Sequence, residues 1–420
     1  MKVFKFGGAS INSVERIRNS GHILQACPGE KILVIISAMG KTTNALEKVV
    51  DAFFDGRQAD ALQLFKQVKE SHLNFLKYLV TVNWQKAETR LKDFFTEVEW
   101  LLYDKPVKSY DYYYDQVVCS GELMSTSMVS DYLNEVGIKN KWMDVRDIVR
   151  TDNNFRDANI DWDFTRQKTD GAIQPLFSEF DLVITQGFIG ATDENENTTL
   201  GREGSDYSAA VFANILDARS LTIWKDVEGV MNADPKEFSE AVVMETLSYR
   251  EVVEMAYYGA QVIHPKTIKP LENKNIPLEV RCFLNPGLKG TFISNKPVHG
   301  LPPIIVLKQD QVLMQLNSRD FSFVEEKPIS LLHEIFDQIR IRPNLSQHGA
   351  VSLLCCLDNK PEKIEKLAIA AAEIFDVQIE KNLTLLTVRH YNAETIDRLT
   401  KGKIIVLEQK TVETIQVLMR

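Results

Sequence analysis

Short polar clusters along the chain carry residue types suited to handling phosphate and carboxylate groups. The first is Lys5-Phe6-Gly7-Gly8. Paired glycines where a strand gives way to a helix let backbone N–H groups approach phosphate oxygens, the helix N-terminus adds positive potential, and Lys5 supplies a mobile cation. The spacing is not that of a Walker loop, and the tetrapeptide alone also fits a plain turn with a solvated lysine. The second cluster runs from Leu200 to Ser208 and packs Arg202, Glu203, Gly204, Ser205 and Asp206 ahead of an apolar helix. Ser205 or Asp206 alone would cap that helix, so the surplus points to chemistry. Arg202 can fork onto a carboxylate, and Asp206 can organise groups around a transferring phosphoryl. A third cluster follows Ile223-Trp224 and holds Lys225, Asp226, Met231 and Lys236, where an open α/β sheet usually takes a nucleotide. Ser37 and Thr43 lie in a fourth polar loop, and Glu122 stands at a helix start, where a plainer role is to answer the helix dipole.

The spacing of apolar residues predicts the scaffold for these clusters. β-rich runs at Lys2 to Phe6 and Lys31 to Ser37 flank a helix-period stretch from Ile11 to Ala26, with Ser10 or Asn12 as its cap. That is a βαβ unit, and hence a mainly parallel sheet covered by helices. From Asn44 to about Tyr103 long amphipathic stretches predict a helical insertion. The alternation resumes with a helix near Gln116 to Val136 and strands at Asp181 to Gln186 and Ser220 to Trp224. Residues 295–306 have the composition of a linker. Beyond them, strand at Gln311 to Leu316, helix at Ile329 to Gln338, strand at Ala350 to Leu357, helix at Lys363 to Phe375 and strand at Leu383 to Val388 give a ferredoxin-like order. A helix near Ala393 to Leu399 and two further strands suggest a second, abbreviated copy.

At 420 residues the chain exceeds what one core organises, so more than one domain is expected. A net charge of -9 without a Lys/Arg-rich run argues against nucleic acid and anionic membrane surfaces. No apolar stretch approaches the roughly 20 residues of a membrane span, and the first residues lack the order of a signal peptide. The odd set of five cysteines holds no Cys-x-x-Cys pair, and Cys355-Cys356 reads as buried strand packing, so a reduced cytoplasm is expected. Nothing metal-like surrounds His264, which reads as a structural residue before Pro265, and no metal-ligand set is expected.

In this order, together with Thr185-Gln186-Gly187-Phe188, Gly259 to Pro265, and Asn285-Pro286 ahead of Gly290-Thr291, the clusters resemble the aspartokinase branch of the amino-acid kinase family. The resemblance covers Met1 to about Ser294. It implies a three-layer α/β/α sandwich with a mainly parallel sheet as catalytic domain over 1–294, its helical insertion at about 44–104, and a linker at 295–306. Residues 307–420 are similar to ACT domains, an α+β ferredoxin-like region for regulation and dimerisation, with one complete and one abbreviated unit. The implied reaction is ATP- and Mg²⁺-dependent phosphorylation of the side-chain carboxylate of L-aspartate, opening the lysine, threonine and methionine (diaminopimelate) pathway. That carboxylate, with a pKa near ~3.9, needs no base to attack phosphorus.

By motif match, Lys5 and Asp206 are the catalytic residues, and Ser37, Thr43, Glu122, Arg202 and Ser205 bind aspartate. Lys5, Gly7, Gly8, Lys225, Asp226, Met231, Lys236, Gln261 and Lys266 fall on the nucleotide side. Asn317, Ser318, Arg319 and Asn344 are the candidate contacts for an amino-acid effector, and a homodimer through the ACT-like region is implied. Ala9, Glu203, Lys225, Met231 and Gln261 depart from residues usual in the family, which rewrites the ATP face, and Glu203 and Lys225 are expected to pair. Two alternatives keep the fold: a kinase of another small carboxylate, and a catalytically weak amino-acid-sensing regulatory relative.

Overall fold

The computed structural model describes residues 1–260, 263–319 and 326–420. The chain divides into two compact units, Met1–Val230 with Val243–Ala256 and Gln261–Val298, and Met231–Val242 with Tyr257–Ala260 and His299–Arg420.

The first unit opens with β1 (Lys2–Phe6), α1 (Val14–Gln25) and β2 (Ile32–Ile36). The helix starts later than expected because Gly8–Ile11 take a 3-10 turn, so Ser13 rather than Ser10 or Asn12 is the cap, its Oγ accepting from the Arg16 N–H at 3.2 Å. The insertion comprises α2 (Thr42–Phe54), α3 (Gln58–Leu79) and α4 (Trp84–Tyr103). There follow α5 (Tyr110–Val118), α6 (Ser120–Glu135), β3 (Asn140–Trp142), α7 (Trp162–Lys168) and β4 (Leu182–Gln186). A small antiparallel pair, β5 (Ile189–Ala191) and β6 (Asn197–Thr199), precedes α8 (Gly204–Ile215) and β7 (Leu221–Lys225). The unit closes with β8 (Thr246–Ser248), α9 (Tyr249–Tyr258), α10 (Pro265–Glu272), β9 (Leu278–Cys282) and β10 (Thr291–Ser294).

Among the described residues, eight strands form one sheet in the order β3-β4-β2-β1-β7-β9-β10-β8, parallel except where β9 meets β10. Every residue of β2 and β4 is buried, the signature of strands covered by helices on both faces. Burying each large apolar side chain in these strands contributes about 1.5–3 kcal/mol. The core therefore lies under the central strands, whose carboxyl ends carry Lys5, Ser37 and Lys225.

In the second unit the run predicted as linker ends early, because Ile304 opens a long strand, β11 (Ile304–Ser318). After it come α11 (Glu326–Ile339), β12 (Leu345–His348), β13 (Ser352–Asp358), α12 (Pro361–Ala371), β14 (Phe375–Arg389), α13 (Ala393–Thr400), β15 (Ile405–Lys410) and β16 (Thr414–Met419). The sheet order is β12-β13-β11-β14-β16-β15. Residues 311–318 of β11 pair with β13 on one side and the start of β14 on the other, which completes a ferredoxin-like βαββαβ unit. Residues 304–308 pair with the end of β14, which also pairs with β16.

The second copy is shorter than the first by one helix: among the described residues it has four strands but only α13. Its fourth strand is the front half of β11, which precedes the first copy in the chain. Register shifts between Lys308, Gln311 and Leu313 separate the two halves. One core gathers Met314, Leu332, Leu353 and Leu367, another Ile305, Leu386, Val388 and Val417, and a third runs from Leu345 through Leu385 to Leu407. Vicinal Cys355 and Cys356 are buried in β13, where burial raises their thiols to about 11 and about 12.

Because both copies own parts of β11 and β14, loss of packing in one should loosen the other. Leu386→Ala should cost about 2–5 kcal/mol and raise amide hydrogen exchange at 353–357 together with 415–417. Protection retained at 353–357 would mean that the copies unfold separately.

Candidate active site

The parallel register brings the strand ends into line: Lys5 sits beside Ile35 of β2 and Ile223 of β7, and Phe6 beside Ile36 and Trp224. Loops leaving these strands surround a cavity of about 410 Å³, closed by the N-terminus of α8. This is the crevice at the carboxyl ends of parallel strands where α/β sheets bind ligands. Gly8 makes the approach of two of the loops feasible, since a Cβ there would lie 2.5 Å from the Ala38 carbonyl oxygen.

At the base, Lys5 Nζ lies 2.6 Å from Asp206 Oδ1, with Lys225 Nζ 3.9 Å from Oδ2. Lys5 is 8% exposed and Asp206 3%. Burial is the largest influence on the Asp206 carboxyl and pushes it up, but the charges of Lys5 and Lys225 outweigh it and hold the group below its ordinary value. Asp206 is therefore an anion that fixes two ammonium groups. Neither it nor Ser205 caps α8: the cap position is Glu203, in a left-handed conformation (φ 54°) and without a side-chain cap hydrogen bond.

Glu122 is 2% exposed. Its Oε1 accepts from the Ala38 N–H at 3.0 Å, while Oε2 is buried without a hydrogen-bond partner. Burial raises this carboxyl to about 8, against the smaller opposing effects of the Ala38 N–H and Lys5. An unpartnered carboxylate oxygen in a cavity is a receptor for a cationic group.

The cavity brings together Lys5, Gly7, Gly8, Ser37, Thr43, Glu122, Ser205, Asp206, Lys225 and Asp226. It does not bring in Arg202, which is exposed although its neighbours Gly201 and Glu203 both line the space. Lys266 is held by Asp157 and lies outside the lining, and Met231 and Lys236 belong to the second unit. Gln261 lies outside the described residues.

The expected Glu203–Lys225 pair is replaced by two other contacts: Lys225 faces Asp206, and Glu203 Oε2 accepts from the His264 N–H at 2.9 Å. His264 is the cap of α10, its Nδ1 accepting from the Lys266 N–H at 3.2 Å. The effector candidates separate as well. Asn344 joins Gln311, Asp358 and Lys308 in a polar network, whereas Asn317 and Arg319 lie at the opposite end of that half of β11.

Sequence reasoning missed Phe188 and Trp224 as lining residues, although both stand in quoted motifs. Trp224 stacks on Phe6 and lies under Arg281, and Phe188 has a positive φ of 71° with its N–H donated to Ser208 Oγ at 2.9 Å. It also missed Asp115, fully buried, which accepts from the Arg156 N–H and from the N–H and hydroxyl of Thr199. Burial raises this carboxyl to about 6. It ties together the segments leading to Gly201, and an aspartate within an aromatic helix (Tyr-Asp-Tyr-Tyr-Tyr-Asp) was the signal.

Residues 1–282 match the model of the amino acid kinase family. The chain belongs to the amino acid kinase family. Within it, the similarities run to aspartokinases. The chain is 32% identical over 320 residues to lysine-sensitive aspartokinase 3 of Escherichia coli, covering 75% of this chain and 69% of that protein. It is 30% identical over 408 residues to the chloroplastic aspartokinase 3 of Arabidopsis thaliana, 92% of this chain and 70% of that one. To the bifunctional aspartokinase/homoserine dehydrogenase 1 of Zea mays it is 35% identical over 303 residues, but it spans only 32% of that longer protein. The solved structure of E. coli aspartokinase III with aspartate and ADP superposes with a TM-score of 0.81 at 26% identity, covering 100% of this chain and 96% of that one.

A ligand ammonium that meets Glu122 Oε2 must draw the proton off a carboxyl that titrates at about 8. Its affinity should therefore weaken as the pH falls from about 8 to about 6. Calorimetry near pH 7 in buffers of different ionisation heat should show close to one proton released. Binding without proton release would remove Glu122 from the ammonium role.

Proposed function

We propose that the chain transfers the γ-phosphoryl group of ATP to the side-chain carboxylate of L-aspartate, giving 4-phospho-L-aspartate and ADP. The observation that carries this reading is the single cavity in which a buried, lysine-flanked aspartate and an unpartnered carboxylate oxygen face the same space. The E. coli relative solved with aspartate and ADP supports it.

In this mechanism Glu122 Oε2 receives the α-ammonium of aspartate, while Ser37, Thr43 and Ser205 engage its oxygens. Arg202, between two lining residues, is the clamp for the α-carboxylate. A carboxylate oxygen attacks the γ-phosphorus as the bond to the β,γ-bridging oxygen breaks, and that electron pair leaves on ADP. Charge gathers on the transferring oxygens, and Lys5, the N–H groups of the Gly7-Gly8 turn and the α8 N-terminus, all of which line the cavity, would stabilise it. Lys225 takes the nucleotide side, where the family's usual lysine is replaced by Gln261.

Among the described residues no three His, Cys, Asp or Glu side chains gather as a metal cage. Mg²⁺ fits instead as a nucleotide-borne ion beside Asp226, since it is commonly held by one or two carboxylates and substrate phosphates. When bound, it would neutralise phosphate charge. The second unit, with its paired ferredoxin-like copies, would take an amino-acid effector and the contact of a homodimer. The lysine named in another E. coli aspartokinase III complex makes lysine the first effector to test. The reaction would open the lysine, threonine and methionine pathway.

The test is trapping of the acyl phosphate by hydroxylamine, with ATP and Mg²⁺, on aspartate, glutamate and N-acetylglutamate side by side. Hydroxamate should form with aspartate alone, and Lys5→Met should lower kcat by about 10²–10³-fold, the usual cost of removing one charge-stabilising donor. A folded protein that binds aspartate but turns over none of the three would instead be a regulatory relative.

A further inference from the structure

A second cavity, about 670 Å³, lies between the start of α2 and the middle of α3. Gly40 lines both this space and the active-site cavity, so the loop after β2 is a shared wall. Lys41 and Lys48 line the second cavity and no carboxylate does, in a chain whose net charge is -9. Here α2, 13 residues long, begins without a side-chain cap, so its first N–H groups add positive potential. Asn44, Gln67 and Ser71 add polar groups to a lining that also includes the apolar Met39, Ala45, Leu64 and Val68.

His72 is an independent observation. It lines the same cavity, is 1% exposed, and its Nδ1 lies 2.8 Å from the Val68 carbonyl oxygen. Nδ1 therefore carries the hydrogen, and burial, which lowers the pKa, keeps the ring neutral. Nε2 is then an acceptor, buried without a hydrogen-bond partner among the described residues. Leaving such an atom unsatisfied costs about 1–3 kcal/mol. Ala61, Phe65, Val68 and Leu76 make the rest of this helix face apolar, so a leucine would have packed at lower cost.

We propose that this cavity binds a small dianion that also carries a hydroxyl or amino hydrogen. The anionic group sits on Lys41, Lys48 and the first amides of α2, and the hydrogen is donated to His72 Nε2. Phosphate esters and dicarboxylates share this chemistry. The site is separate from the kinase reaction, and its test does not depend on turnover.

Calorimetric titration of the whole chain would compare glycerol 3-phosphate and malate, which carry hydroxyls, with methyl phosphate and succinate, which do not. At least one hydroxyl-bearing probe should bind saturably and roughly tenfold more tightly than its donor-free counterpart, about the worth of one hydrogen bond. Lys41→Ala with Lys48→Ala, a double change of exposed side chains, should weaken it at least tenfold at unchanged Tm, and saturating ATP should leave it in place. The winning anion identifies the source, ester or dicarboxylate. Absence of saturable binding by any probe, equal affinity for donor-free probes, indifference to the lysine change, or full displacement by ATP would each overturn the proposal.

Discussion

The buried ion pair between Lys5 and Asp206 is the constraint around which the first unit is arranged. Two charges this far from water are stable only where their mutual attraction offsets a desolvation penalty of several kcal/mol each, and removing one partner commonly costs about 3–5 kcal/mol. Such a pair needs both groups on rigid elements. Lys5 is near the end of a central strand flanked by β2 and β7, and Asp206 is in the first turn of α8. With Lys225 as a second cation, two ammonium groups surround one carboxylate. Asp206 is thus a positioning anion as much as a reacting one: it holds positive charge in excess where an anionic group would arrive.

Much of this was legible in the residues. Central parallel strands announce themselves because both faces are buried, as in Ile32-Leu33-Val34-Ile35-Ile36. Lys5, Ser205 and Asp206 stood out because their motifs hold more polar groups than turns and caps require. Other features depend on tertiary placement. Asp115 is visible as a buried anchor only once the N–H groups of Arg156 and Thr199, 41 and 84 residues away, are brought to it. The exposed part of β14 alternates poorly, so only its buried end, Leu383 to Val388, was read as strand. The start of β11 was hidden behind Pro302-Pro303, and local sequence could not tell that Arg202 turns to solvent while its neighbours line the cavity.

Glu203 shows how a departure from a familiar motif acquires a physical meaning. A left-handed backbone favours glycine, and another residue there costs on the order of 1–2 kcal/mol. The glutamate offsets that cost by accepting from the His264 N–H, next to the helix that α8 contacts again where Asn214 donates to the Pro270 carbonyl at 2.8 Å. Its charge is thus spent on joining two helices, which leaves Lys225 to face the carboxylate of the active-site cavity.

The exchanged halves of β11 and β14 set a rule for how the second unit could have arisen and how it can be altered. In most tandem repeats a boundary exists at which one copy can be cut out, swapped or multiplied. Here no such boundary exists, because any cut between the copies in sequence divides a strand that both use. Genetic recombination would have to exchange the pair as one cassette, and variation within it is restricted to substitutions and to loops that leave both long strands intact.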